Sequence, residues 1–350
     1  MLCIKTYNTM KPNRAYLYIL LFLLIISGLS TASGQPEPGI FERLSYKELL
    51  KVELTLDLDS LQALKMTELS LPATFAYKDK NGKQERYAVR IDVRGKFRRR
   101  FCQMPPLLIT FPKKELQSAG MNRHNDLKLV PHCMDNEQGD ACILREYLAY
   151  KLYQILTPHS FRVQLLQIKY RNSNDNSSLT RYALLLEDED DLKERLGGKF
   201  CNACYGLNPE QFQAEHARLH DLFQYMIGNT DWSVPMHRNL KILTFKSDSN
   251  YLIVPYDFDF SGLVQAPYAV PDQTLGIHTV RERIYLGFPY APKDLEPTIK
   301  LFEERKAALL RVVRNFKLLD AEERQNMIQY IESFYKCMNA GLNLHTPGGC

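Results

Sequence analysis

The chain has 350 residues, 45% of them hydrophobic and 24% charged, a balance that excludes disordered and fibrous classes and fits a globular protein. Its formal charge of +5 rests partly on its first residues, because a leader of 34 residues would take away Lys5, Lys11 and Arg14 and no acid, leaving +2. So slight a basic balance gives no argument for nucleic acid as a partner.

The leader is the first element in chain order. Lys11 and Arg14 precede the apolar run AYLYILLFLLIISGLS, and small residues follow at Ala32 and Gly34. This is the pattern of a secretory signal cleaved near Gly34–Gln35, with an uncleaved amino-terminal anchor as the alternative. No cysteine follows the small residues, so a lipid anchor is not expected, and no later segment reads as a transmembrane span. Seven cysteines remain after such cleavage: Cys102, Cys133, Cys142, Cys201, Cys204, Cys337 and Cys350. Export makes disulfides permissible, and an odd count leaves at least one thiol over or paired between molecules. The CNAC run at 201–204 reads first as a structural disulfide; free thiols, a redox pair and half of a zinc site are its other readings.

From Lys51 the pattern is that of strands. KVELTLDL alternates, ATFAYKD leads into the turn signal Asn81–Gly82, and ERYAVRIDVRG alternates again. PPLLITF (105–111) and DLKLVPH (126–132) add two short strands. The basic run RGKFRRR (94–100) is either a solvated strand end or an anion site. GDACILREYLAYKLYQILTP (139–158) is the first segment with helical spacing, ended by Pro158. FRVQLLQIKYRN and RYALLLEDEDD then form two strands around a polar loop. After a linker near Glu187–Gly198 the character turns helical, with a helix leading into GNTDWSVPMHRN, two strands in NLKILTF and YLIVPYDFDF, and two amphipathic helices from Leu295 to Met338. The outline is a mostly antiparallel, β-rich first part with one late helix, followed by a helical part that carries a polar motif at its front.

That motif holds Asp231, His237, Asn239, Asp257 and Asp259 beside apolar runs. Phosphoryl transfer needs a cation on the phosphate oxygens, oxygen ligands for it, and a carboxylate near the acceptor hydroxyl. Magnesium takes only one or two protein carboxylates or amides. Asp231 fits the base or acceptor-orienting group, Asn239 a metal ligand, and Asp257 or Asp259 the main metal carboxylate. His237 would orient Asp231 or contact phosphate. The bland reading makes these residues helix caps and turns. Against it, Asp257 and Asp259 alternate with Phe258 and Phe260 at a strand end, so both carboxylates would share one face and repel unless a cation relieved them.

In this order, DVRGKFRRR, ILREYLAYKLYQIL, GNTDWSVPMHRN and VPYDFDFSG resemble the spore coat protein H (CotH) kinase-like family, across roughly Leu54 to Gly262. The resemblance implies an exported bacterial phosphotransferase of α+β class. Its fold would be a two-lobed atypical protein-kinase-like one, with a β-rich N-lobe containing one helix (35–196) and a mostly helical C-lobe (197–345). By it Asp231 is the catalytic acid, Asn239 a metal ligand, and Asp257 with Asp259 the counterpart of the metal-binding aspartate; the cofactors would be ATP and Mg2+ or Mn2+. The family tends to carry lysines where Pro105 and Pro106 stand here. Lys128, paired with Glu146, is therefore the substitute for the phosphate-contacting lysine, and Arg94 or Lys96 the fallback. LLLEDEDDL would be the lobe-connecting hinge, or else a solvated helix start. The acceptor would be a protein or small-molecule hydroxyl in the periplasm, cell envelope or medium. The alternatives are a binding or structural protein that has lost catalysis and a nucleotidyl transferase.

Overall fold

Seven strands with alternating burial close on themselves into a barrel. They are β1 (Leu49–Leu56), β2 (Ser70–Lys78), β3 (Gln84–Val93), β4 (Leu107–Thr110), β5 (Asp126–Pro131), β6 (Val163–Asn172) and β7 (Ser178–Leu186). Around the barrel they run β1-β2-β3-β4-β5-β7-β6, and the parallel pairing of β1 with β6 makes the closure, from Leu49 beside Leu165 to Leu56 beside Asn172. The other neighbours pair antiparallel. The computed structural model describes residues 37–339 apart from Leu69, Ser247 and Asp248. The signal sequence expected at 1–34 and Cys350 lie outside the described residues.

This corrects the expected fold. The chain does not form a two-lobed kinase-like fold with a single helix in its first part; it forms a closed barrel with helices outside it. Alternation tells which residues of a strand share a face, but it does not tell which distant strand lies alongside. The β1–β6 pairing joins segments more than a hundred residues apart, and nothing local announces it. Several short helices also escape the periodicity: α1 (Ile40–Leu44), α2 (Leu58–Leu64), α3 (Phe97–Phe101) and α4 (Lys113–Ser118). Of these, α3 occupies the basic run where a strand end was expected.

The barrel interior is filled by one parity of each strand, including Leu50, Phe75, Ile91, Leu127, Ile168 and Leu185. The opposite parity of β6 and β7, with Leu165, Leu184 and Leu186, faces a second core. That core is built on α5 (Glu137–Leu156), a helix buried along most of its length, with Arg145 and Glu146 buried among its apolar side chains. Asn136 caps α5 by accepting from the Gly139 N–H at 2.9 Å. The acidic run at 188–191 opens α6 (Glu189–Leu196), capped by Asp188; it is a helix start, but Asp188 and Asp191 are buried where a solvated start was expected. The helices α7 (Ala214–Ile227), α8 (Pro292–Asn315) and α9 (Ala321–Asn339) complete the second core, and a small sheet of β8 (Lys199–Phe200), β9 (Leu240–Thr244) and β10 (Leu252–Pro255) lies beside it in the order β10-β9-β8.

Cys102 is bonded to Cys133 and Cys201 to Cys204, so the CNAC run is a disulfide. Cys337 is also disulfide-bonded, and Cys142 is a free, buried thiol. Disulfides of this number fit an oxidising compartment. Among the described residues no helix is long and apolar enough to cross a membrane.

Candidate active site

Two glycines bring the two polar segments together. Gly228 ends α7 in the left-handed conformation (φ 62°), where its N–H reaches back to the Gln224 and Tyr225 carbonyls. The Gly262 N–H donates to the Gly228 carbonyl at 3.0 Å, and a Cβ on either glycine would collide with the Tyr330 hydroxyl. The segments 228–239 and 251–262 are therefore stitched at their ends.

Within the first segment the structural and chemical duties fall on different residues. Asn229 shapes the turn: its Oδ1 accepts from the Asp231 N–H at 3.0 Å, its Nδ2 donates to Gln224 Oε1, and its carbonyl accepts from Trp232 Nε1. Asp231 is thereby released from capping. Its carboxylate accepts from Asn239 Nδ2 at 2.9 Å and meets Arg238 Nε at 3.4 Å. Burial lifts its pKa above the ordinary carboxylate value, against the pull of Arg238. Asn239 donates again to the Asp231 carbonyl at 2.6 Å, so both of these bonds use its NH2 group. His237 does not orient Asp231. Its Nε2–H donates to the Cys204 carbonyl at 2.7 Å, and its ring stacks on Tyr205 at 4.8 Å.

In the second segment β10 ends at Pro255, earlier than the alternation of Asp257 and Asp259 implied. Asp257 turns into the left-handed region (φ 66°), and its N–H donates to the Tyr150 hydroxyl of α5 at 2.8 Å. The two acids thus meet through a turn and not through strand parity. Asp259 is 3% exposed, accepts from the Tyr268 hydroxyl at 2.9 Å, and has its pKa raised to about 7 by burial and by the charge of Asp257. Three of the five non-glycine residues with positive φ among the described residues, His237, Asn239 and Asp257, lie here. Asn, Asp and His tolerate that region better than most residues, and such conformations gather where function requires them.

These residues open onto one cavity of about 760 Å3 between the outer wall of the barrel and the stitched segments. Eight of the nine residues singled out by sequence line it: Arg94, Lys96, Lys128, Asp231, His237, Asn239, Asp257 and Asp259. The ninth, Glu146, is buried on α5 and does not line the cavity; its pKa is pushed well up by burial and by Asp259 and Asp257, and its Oε1 has no hydrogen-bond partner. Glu146 is not the partner of Lys128. Lys128 pairs instead with Glu189 at the start of α6, which Lys241 also reaches at 3.0 Å. The reason is parity: Lys128 stands on the outer face of β5, toward the acidic helix start, while Glu146 points behind the acidic turn. Sequence reasoning gave no separate role to Arg98, Tyr150, Arg238 and Tyr256, which also line the cavity; only the charge density of the 94–100 run signalled Arg98.

One side of the cavity is thus acidic and the other basic. Among the described residues no three His, Cys, Asp or Glu side chains are placed to hold a metal ion by themselves. A magnesium ion would not ask for three, since waters and phosphate oxygens complete its shell. Glu146 and Asp259 are buried carboxyl groups whose pKa values are raised beside Asp257, and a divalent cation on Asp257 and Asn239 would favour their ionised forms.

No family model and no curated protein matches the sequence. Among solved structures, the crystal structure of a Helicobacter pylori proinflammatory kinase, CtkA, is similar with 9% identity and a TM-score of 0.36, over 65% of this chain and 87% of that one. At so slight a likeness the function has to be read from the site's own residues.

Proposed function

We propose that the protein is an exported phosphotransferase that uses ATP with Mg2+ or Mn2+ and passes the terminal phosphoryl group to a hydroxyl of a protein or small molecule. The observation that carries this reading is the convergence of Asp231, Asn239, Asp257 and Asp259 on one side of a cavity whose other side is basic. A phosphate chain with its cation needs both kinds of wall. Asp257, with Asn239 Oδ1 or Asp259, would hold the cation. Bound there, the cation neutralises charge on the transferring phosphate.

The chain's own residues supply the rest. The carboxylate of Asp231, lifted in pKa by burial and held by Asn239, accepts the proton of the acceptor hydroxyl. The acceptor oxygen forms its bond to the terminal phosphorus as the bond from that phosphorus to the bridging oxygen breaks, leaving ADP. The basic wall keeps the phosphates in line.

The test is titration of ATP with Mg2+ into the protein by calorimetry, with radiolabelled phosphate transfer to hydroxyl-bearing acceptors. Saturable binding that needs the metal and is abolished in Asp257→Ala is expected. Absence of binding, together with identical transfer by wild type and Asp257→Ala, would sink the proposal.

A further inference from the structure

The cavity's basic wall carries four cations of unequal standing. Lys128 already has a carboxylate: its Nζ sits on Glu189, and its charge also lies over the Tyr256 ring at 5.4 Å. Arg94 and Lys96 flank the left-handed Gly95 on a surface turn, and Lys96 is exposed. Arg98 is different. It is 7% exposed yet lines the cavity, its Nη2–H donates to the Pro131 carbonyl, and its Nε has no hydrogen-bond partner. A buried guanidinium N–H left without an acceptor is costly, and it is rarely tolerated without a purpose.

The surroundings of Arg98 hold it rigidly. It stands in α3, whose following residue Cys102 is bonded to Cys133, just beyond the end of β5. Gln103 N–H donates to the Cys133 carbonyl at 2.8 Å, and Lys65 Nζ to the Cys102 carbonyl at 2.8 Å. The Tyr268 ring lies 5.7 Å from the guanidinium carbon, and that tyrosine's hydroxyl is bonded to Asp259. The guanidinium is therefore anchored at one nitrogen and left unpartnered at another, which is buried in the cavity wall near the acids.

We infer that Arg98, and not Lys128, is the residue that grips an anionic phosphate oxygen of the bound ligand, through a guanidinium that lines the cavity and is held in place by the Pro131 carbonyl. The inference rests on the phosphoryl-transfer reading and names the anion-binding residue of that site. A guanidinium suits the task because its donors are planar and fixed, whereas an ammonium acts as a point charge. The competing role for Arg98 is charge balance alone, opposite Glu146 and Asp259. That role asks only for a positive charge and not for a particular N–H.

Tripolyphosphate, titrated into the protein by calorimetry with Mg2+ present, separates the two roles. Arg98→Lys keeps the charge and loses the fixed planar set of donors; it is expected to weaken tripolyphosphate binding by roughly 10-fold or more. Arg98→Met should weaken it further, and Lys128→Met by less than about 3-fold. Circular dichroism of each variant checks folding; if Arg98→Met does not fold, Arg98→Lys against Lys128→Met decides. Binding by Arg98→Lys equal to wild type, or a loss confined to Lys128→Met, overturns the inference while the phosphoryl-transfer reading stands. Failure of the wild type to bind either tripolyphosphate or ATP with Mg2+ removes both.

Discussion

The two faces of strand β5 belong to two different kinds of protein. Inward, Leu127 and Leu129 are wholly buried in the barrel among apolar neighbours such as Phe75 and Phe111. Outward, Lys128 and Val130 border the cavity, where backbone in the left-handed region, acids of raised pKa and unpartnered polar atoms collect within a few residues of one another. A close-packed sheet wall resists deformation, so it can back a strained and unevenly charged site without yielding to it. The lesson is one of segregation: side chains that hold the fold and side chains that would do chemistry lie on opposite sides of one strand.

Substitutions that act on one side only are the direct way to break that comparison. The largest effect is expected from Asp231→Asn, which keeps the hydrogen-bonding shape and removes the base. Phosphoryl transfer should fall about 100- to 10,000-fold, the usual weight of general-base catalysis, with the melting temperature nearly unmoved. A large loss of thermal stability in this variant would mean that the site helps to hold the fold. On the other side, Phe75→Ala empties part of the barrel centre, where Phe75 is fully buried and its ring meets Phe111 edge-on at 5.2 Å. Denaturant unfolding should show a loss of about 3–5 kcal/mol. The protein that remains folded should bind tripolyphosphate as the wild type does.

How much of this division can be read without coordinates differs between the two sides. Strand parity is local, so the inward residues of β1, β3 and β6 follow from alternation alone, as do the long helices α5, α8 and α9 from their spacing. Barrel closure does not follow, because it depends on which remote strand takes the free edge of β1. At the site, residue types and order brought eight cavity-lining residues to notice. Their partners were another matter. Lys128 with Glu189, His237 with the Cys204 carbonyl, and the turn at Asp257 are all set by the ends of elements. Periodicity has least to say there. Arg98 was hidden for a related reason: a five-residue helix with three arginines, in a run of five basic residues, gives no sign of which cation turns inward.

The smallest effect expected is on the pH dependence of stability, and it sharpens the comparison because the two sides should differ in sign. His132, at the end of β5 against the buried Tyr170 ring, is 1% exposed, and burial lowers its pKa from 6.5 to about 4. Between those values the unfolded chain takes up a proton that the folded one refuses, so stability falls as pH drops from 6.5 toward 4. Asp259 behaves in the opposite way. Its pKa rises from 3.8 to about 7, so the folded protein keeps a proton that the unfolded chain has released, and stability falls as pH rises through that window. Buried Glu146, also shifted upward, acts in the same direction as Asp259. Across pH 4–6.5 the barrel-end histidine and the cavity acids therefore oppose each other, each with a limiting slope of about 1.4 kcal/mol per pH unit. Denaturant unfolding at pH 4.5, 5.5 and 6.5 should leave His132→Gln with stability that declines as pH rises. Asp259→Asn combined with Glu146→Gln, which removes both raised acids and leaves His132, should show stability that climbs with pH. Stability that climbs with pH in both variants would mean that the cavity acids are fully ionised in the folded protein.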